Sequence, residues 1–238
     1  MKAIILAGGL GTRLRPITYR CPKPMIPVKG RPFLEYLLNY LKNQGVRDFV
    51  LCLHYMSEKF KEYFGDGSKL GINISYAIED KPMGTGGALK NAEKFIQGRF
   101  LVLNGDTFLT LDLRRMINFH RRCGGLGTIA LVYMKSPTRY GIVGVDKDWR
   151  IISFSEKRKV DEGYINAGIY IFERKLLSYI PEGKKISLEK DILTSLVQRE
   201  KFYGFPVRGY FIDIGVPEDL YRFEKDLESG VIDVFKSN

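Results

Sequence analysis

The chain of 238 residues is 45% hydrophobic and 27% charged, enough apolar material for one well-filled α/β domain, which excludes a disordered chain. Its formal charge of +11 suits polyanionic partners, but Lys and Arg are scattered along the chain with only short clusters such as Lys157-Arg158-Lys159. That scatter points to a phosphate site on a basic surface and away from a nucleic-acid-binding protein, which would concentrate its charge.

In chain order, residues 2–7 form a continuous apolar run ending in glycines, the pattern of a buried parallel strand. A long loop follows to about Pro32, which suits the first turn of a helix bearing Phe33, Leu34, Tyr36, Leu37, Leu38 and Leu41, with Gly45 beyond its end. Asp48 to Leu53 reads as the next strand. A helix around 56–64, a strand around 72–78, a helix from about Gly86 to Phe95 and a strand at 100–103, running into Asn104-Gly105-Asp106, come next. Such alternation predicts a mainly parallel sheet with helices on both faces, and ligands gather at the carboxyl ends of its strands.

After a helix at about 112–122 the character changes. Strand-like runs at 126–134, 142–146, 150–155 and 164–172 are separated only by turns, so this half is antiparallel or mixed. A helix near 188–199, a strand near 209–213 and a last helix near 217–228 follow. The expected fold class is α/β, three-layer, with a mixed, mainly parallel sheet flanked by helices. Cys21, Cys52 and Cys123 are odd in number and lack metal-ligand spacing, no run approaches a membrane span, and Met1-Lys2 opens no signal peptide. A cytoplasmic protein without membrane or nucleic-acid partners is expected.

The first loop holds Gly8, Gly9 and Gly11, then Thr12, Arg13 and Arg15, and further on Lys23 between two prolines. Glycines let backbone N–H groups approach phosphate oxygens, and the cations neutralise a triphosphate. The loop is neither a Walker A motif nor a dinucleotide fingerprint, and by itself a tight turn with a solvated lysine accounts for it. Asp106 ends an apolar strand and Asp213 lies between Ile212 and Ile214. A carboxylate in such surroundings is costly unless it is paired, bound to a cation, or capping a helix or turn.

The run Leu6-Ala7-Gly8-Gly9-x-Gly11-Thr12-Arg13-Leu14-x-Pro16-x-Thr18, with Pro22-Lys23-Pro24-Met25 after it, resembles the signature of the nucleotide-sugar pyrophosphorylases, the sugar-1-phosphate nucleotidyltransferases. The resemblance extends over nearly the whole chain. It implies a Rossmann-like nucleotidyltransferase fold similar to glycosyltransferase A, in one domain over 1–238 with a nucleotide-binding half to about 125 and a sugar-phosphate-binding half from about 126. It also implies a magnesium-dependent displacement in which a sugar 1-phosphate attacks a nucleoside triphosphate and pyrophosphate leaves. Since the nucleophile is already an anion, such a reaction needs alignment and charge neutralisation more than covalent help.

By the same resemblance, Arg13, Lys23 and Asp106 are catalytic, and Asp106 and Asp213 hold Mg2+. Leu6, Ala7, Gly8, Gly9, Gly11, Thr12 and Arg13 cradle the nucleotide. Glu79, Gly84 and Thr85 flank the base; the plain alternative there is a loop with Thr85 as helix cap. Relatives that transfer thymidylyl or uridylyl groups carry glutamine where Glu79 aligns. A carboxylate accepts only, which suits the paired N–H donors of guanine and favours GTP.

Gly141, Glu156, Lys157, Asn166 and Gly168 fall on the sugar-phosphate side, although Arg158 stands where the family has proline. An ion pair for Glu156 and a turn for Asn166 are the plain alternatives. Segments such as Ser187-Leu188-Glu189-Lys190-Asp191 and Phe202-Tyr203-Gly204-Phe205 look like the D-glycero-D-manno-heptose 1-phosphate guanylyltransferases, though a solvated helix face and core aromatics also account for them. Mannose-1-phosphate guanylyltransferase and glucose-1-phosphate thymidylyltransferase stay open, as does a nucleotide-sensing subunit without turnover. His54 and His120 are expected to be structural, and the oligomeric state is open, a homo-oligomer included.

Overall fold

The opening apolar run forms β1 (Ala3–Leu6), and it is apolar throughout because it has a parallel neighbour on each side. The computed structural model describes residues 1–155 and 161–234. A hairpin of β2 (Pro27–Val28) and β3 (Arg31–Pro32) precedes α1 (Phe33–Asn43), β4 (Asp48–Leu53), α2 (Ser57–Phe64), β5 (Asn73–Ile78) and α3 (Gly84–Asn91). Next come β6 (Phe100–Asn104), β7 (Thr107–Leu109), α4 (Leu113–Cys123), β8 (Gly127–Lys135), β9 (Ile142–Val145), β10 (Ile151–Ser155) and β11 (Glu162–Phe172). A π-helical turn, Leu188–Leu193, runs into α5 (Thr194–Leu196), and β12 (Phe202–Val207), β13 (Phe211–Asp213) and α6 (Pro217–Glu228) follow.

Among the described residues one nine-stranded sheet spans both halves in the order β10-β9-β11-β6-β1-β4-β5, with β8 also paired to β11 and β12 to β8. Strands β6, β1, β4 and β5 are mutually parallel, while β11 runs antiparallel to β6, β8 and β9. Alternation along β1 sorts its side chains between two cores. Ala3 and Ile5 join the cluster with Phe33, Phe60, Met116 and Phe223 from α1, α2, α4 and α6. Ile4 joins Ala88 and Leu89 of α3 and Leu188, Ile192 and Leu196 on the other face. The result is the expected three-layer α/β arrangement. Among the described residues no helix is long and apolar enough to cross a membrane.

Several elements depart from expectation. Pro32 is the N-cap of α1 and lies outside its first turn. The helix expected near 188–199 is a π-helical turn followed by three α-helical residues. Phe202-Tyr203-Gly204-Phe205 belongs to a strand parallel to β8, where a side chain on Gly127 would meet Phe172 and Phe202 at 2.7–2.8 Å. Most consequential for the site is the ribbon of β7 and β13. It pairs Thr107 with Asp213 and so brings together two segments more than 100 positions apart.

Candidate active site

The glycine loop leaves β1 between two strands that hold it in place: Ala7 N–H donates to the Cys52 carbonyl at 3.0 Å, and Gly105 N–H to the Leu6 carbonyl at 2.9 Å. Gly11 is left-handed (φ 61°), and a side chain there would meet the Thr18 methyl at 2.8 Å and Lys23 Cβ at 3.2 Å. The Thr18 hydroxyl closes the loop by donating to the Gly11 carbonyl at 2.9 Å. Gly9 has open space in front of it. The loop overhangs a cleft of about 450 Å³ whose walls include Leu6, Ala7, Gly8, Gly9, Gly11, Thr12, Arg13, Lys23, Glu79, Gly84, Thr85 and Asp106, all expected nucleotide-side or catalytic residues.

On the cleft floor Lys23 Nζ lies 2.6 Å from Asp106 Oδ2 and 3.3 Å from Asp213 Oδ1. The ribbon and the hydrogen bond from Ile214 N–H to the Asp106 carbonyl (3.0 Å) enforce this convergence. Burial raises the pKa of Asp213 above the usual carboxylate value, and the charge of Asp106 adds to this. Lys23 and Arg13 act in the opposite direction. Arg13 lies against Gly215, two residues beyond Asp213. Among the described residues no group of three or more His, Cys, Asp or Glu converges. Two hard carboxylates beside the cleft nevertheless match what a magnesium ion takes from a protein when phosphate oxygens and water supply its remaining ligands. Asp213 adjoins the cleft through Lys23 and is not one of its wall residues.

At the other end, Glu79 is buried, and its Oε2 accepts from Met83 N–H at 2.8 Å, which leaves its second oxygen for a ligand. Burial raises its pKa, with Met83 N–H and His54 partly opposing. His54 Nδ1 is 2.9 Å from the Glu79 carbonyl oxygen, so the histidine steadies this loop. The glycine that follows is required by packing within the protein. A side chain on Gly84 (φ 72°) would lie 2.4 Å from the Ile186 carbonyl, so close packing on the 184–188 segment requires glycine there, apart from any approach to a base. Nor does Thr85 cap α3, whose N-cap is Met83. Its hydroxyl accepts from Leu188 N–H and donates to Glu189 Oε2, both at 2.8 Å.

Of the residues expected on the sugar side, Asn166 and Gly168 lie on β11, where Gly168 N–H donates to Asn166 Oδ1 at 2.9 Å. A side chain on Gly168 would meet the amide of Asn104, a cleft-wall residue, at 2.6 Å. Gly141 is not on the cleft wall. It follows Tyr140, whose ring lies 5.8 Å from that of Phe211 on β13. Glu156 and Lys157 lie outside the described residues.

Residues 2–230 match the nucleotidyl transferase family. The chain belongs to that family. A D-glycero-α-D-manno-heptose 1-phosphate guanylyltransferase from Aneurinibacillus thermoaerophilus is 42% identical over 229 residues, 96% of this chain and 99% of that protein. One from Campylobacter jejuni is 44% identical over 224 residues, 94% and 98% of the two chains. The crystal structure of HddC from Yersinia pseudotuberculosis complexed with GMP-PN matches with a TM-score of 0.85 at 37% identity, covering 95% of this chain and 99% of that one.

In this nucleotidyl transferase the cleft also recruits residues to which the sequence assigned no site role. Asn104 and Lys185 stand on its wall, and Tyr170 and Glu189 are tied to it by hydrogen bonds. Asn104 was legible as a polar residue ending a buried strand beside Asp106. Tyr170 lies inside an apolar run, and nothing in its local pattern separates it from a core aromatic.

Proposed function

We propose that this nucleotidyl transferase moves a guanylyl group from GTP to D-glycero-D-manno-heptose 1-phosphate, releasing pyrophosphate in a magnesium-dependent reaction. The observation that carries the chemistry is the contact of one ammonium, Lys23 Nζ, with Asp106 at 2.6 Å and Asp213 at 3.3 Å on the floor of the cleft. In the proposed reaction an oxygen of the sugar phosphate attacks the α-phosphorus, the bond to the bridging oxygen of the β-phosphate breaks, and pyrophosphate departs with that electron pair.

Arg13 and the N–H groups of Gly8, Gly9, Gly11 and Thr12 hold the triphosphate and take up charge on the leaving pyrophosphate. Lys23 lies between the two repelling anions, where its charge counts most because water is largely excluded. Asp106 and Asp213 would hold the magnesium ion, which when bound neutralises phosphate oxygens. Glu79, with Gly84 and Thr85, faces the base, and a free carboxylate oxygen favours the donor edge of guanine. Gly141, Asn166 and Gly168 form the described part of the sugar-phosphate side, in the half beyond residue 125. Two relatives named for this activity, aligned over nearly their full lengths, support the choice of base and sugar.

The test is pyrophosphate release with GTP, UTP and dTTP against the 1-phosphates of heptose, mannose and glucose. The highest kcat/KM is expected for GTP with the heptose, and chelation with EDTA should abolish turnover until magnesium is restored. Tight nucleotide binding with no turnover for any pair would overturn the enzyme reading. A preference for UTP or dTTP would overturn the role of Glu79.

A further inference from the structure

We propose that Glu189 is a positioning residue: it fixes the side-chain amide of Asn166 through Tyr170 and so sets which sugar hydroxyls the cleft accepts. The inference rests on the sugar side assigned above. Glu189 lies on the π-helical turn, one of the irregular helices that recur at functional sites. Three hydroxyls converge on its carboxylate: Thr85 at 2.8 Å and Ser187 at 3.1 Å on Oε2, and Tyr170 at 3.0 Å on Oε1.

A carboxylate only accepts, and a hydroxyl has one proton. Each of the three therefore spends its proton on Glu189 and turns a lone pair the other way. The Thr85 oxygen accepts from Leu188 N–H at 2.8 Å, and the Ser187 oxygen from Lys190 N–H at 3.2 Å. The fully buried Tyr170 oxygen accepts from Asn166 Nδ2 at 2.8 Å. Asn166 is thereby oriented: its NH2 faces Tyr170, and its carbonyl faces Gly168 N–H at 2.9 Å. Gly168 in turn packs on Asn104, whose buried Oδ1 has no donor among the described residues, an acceptor that a ligand hydroxyl would satisfy. The acceptor-only charge of Glu189 thus fixes the orientation of Asn166, which adjoins the cleft-wall residue Asn104 through Gly168, while Thr85, another wall residue, donates to the same carboxylate.

Glu189→Gln keeps the shape but gives the side chain an NH2, so it can no longer accept from hydroxyls on both sides. The experiment measures KM for sugar 1-phosphate and for nucleotide, the kcat/KM ratio between manno- and gluco-configured sugar 1-phosphates, and the calorimetric Kd of each sugar phosphate. Glu189→Gln and Tyr170→Phe are each expected to raise the sugar KM about tenfold and to shrink the configurational ratio by a similar factor, and Tyr170→Phe, which leaves the Thr85 contact in place, to keep the nucleotide KM within about twofold. Ser187→Ala, which removes a hydroxyl that does not lead to Asn166, should stay within about twofold throughout. An unchanged ratio in both variants, or losses shared equally by nucleotide and sugar together with a lowered Tm, would overturn the positioning role and leave the proposed reaction standing. A wild-type protein that neither binds nor turns over any sugar 1-phosphate would overturn both.

Discussion

The guanidinium of Arg13 rests against Gly215: a methyl group at residue 215 would lie 3.0 Å from Nη2 and 3.1 Å from both Cζ and Nη1. The contact links the loop after β1 to the residue two beyond Asp213, so Arg13 takes its position from segments far apart in the chain. In Gly215→Ala the mobile end of an arginine must give way, which costs little stability. Alignment suffers more. A fall in kcat/KM of about 10–100-fold is expected, since a misplacement of about 1 Å costs about 100-fold. Steady-state kinetics beside a thermal melt decides it, and equal activity in the variant would show that Arg13 is not held by this contact.

Lys23→Met keeps much of the packing volume and leaves two carboxylates facing each other. Removing one partner of a buried pair costs about 3–5 kcal/mol. Because the Asp106 side chain keeps 33% of its exposure, about 1–3 kcal/mol is the discounted expectation. Turnover should fall by at least about 100-fold, the scale of a lost charge-stabilising donor. Denaturant unfolding with and without magnesium separates the two effects. The magnesium-induced rise in stability should be larger in the variant, because a dication compensates the freed carboxylates.

Gly84 and Gly9 both line the cleft for different physical reasons, and alanine separates them. At residue 84 a Cβ meets the Ile186 carbonyl at 2.4 Å on a left-handed backbone, so Gly84→Ala should lower stability by about 1–3 kcal/mol. At residue 9 nothing lies within 4 Å, so Gly9→Ala should leave the Tm unchanged while raising the nucleotide Kd. A Tm loss at residue 9 or none at residue 84 would reverse these assignments.

What was legible in the sequence follows the reach of each signal. The alternation of β1, α1 and β4 and the glycine loop are local patterns, and each stands where its residues predict. Asp213 was legible as a carboxylate in an apolar run, but its meeting with Lys23 depends on a ribbon between strands of three residues each, too short to show periodicity. Gly84 shows a different limit. Composition reveals that a backbone needs glycine without revealing whether a ligand or the Ile186 carbonyl crowds it. Glu189 reads as one charge of a solvated helix face because two of its three hydroxyl partners, Thr85 and Tyr170, come from other segments.

The last prediction concerns pH and a histidine far from the reaction. His120 on α4 is buried, with Nε2 3.1 Å from Glu173 Oε1 and Nδ1 2.8 Å from the Thr128 hydroxyl. Burial lowers its pKa, and the hydrogen bond to Glu173 opposes this without prevailing. Burial would likewise raise Glu173, but the hydrogen bonds from Arg99 and His120 outweigh it and hold the carboxylate below its usual range. The ring is therefore neutral in the fold, donating from Nε2 to an ionised Glu173 and accepting from Thr128 at Nδ1. In the unfolded chain the imidazole titrates near 6.5. Below that pH the unfolded state binds a proton that the folded state refuses, so stability is full above about 6.5 and falls as pH drops toward the lowered folded value. Urea unfolding at steps from pH 7.5 to 5.5 should show this slope, and His120→Gln should flatten it. An identical slope in the variant would mean that His120 is not the group responsible.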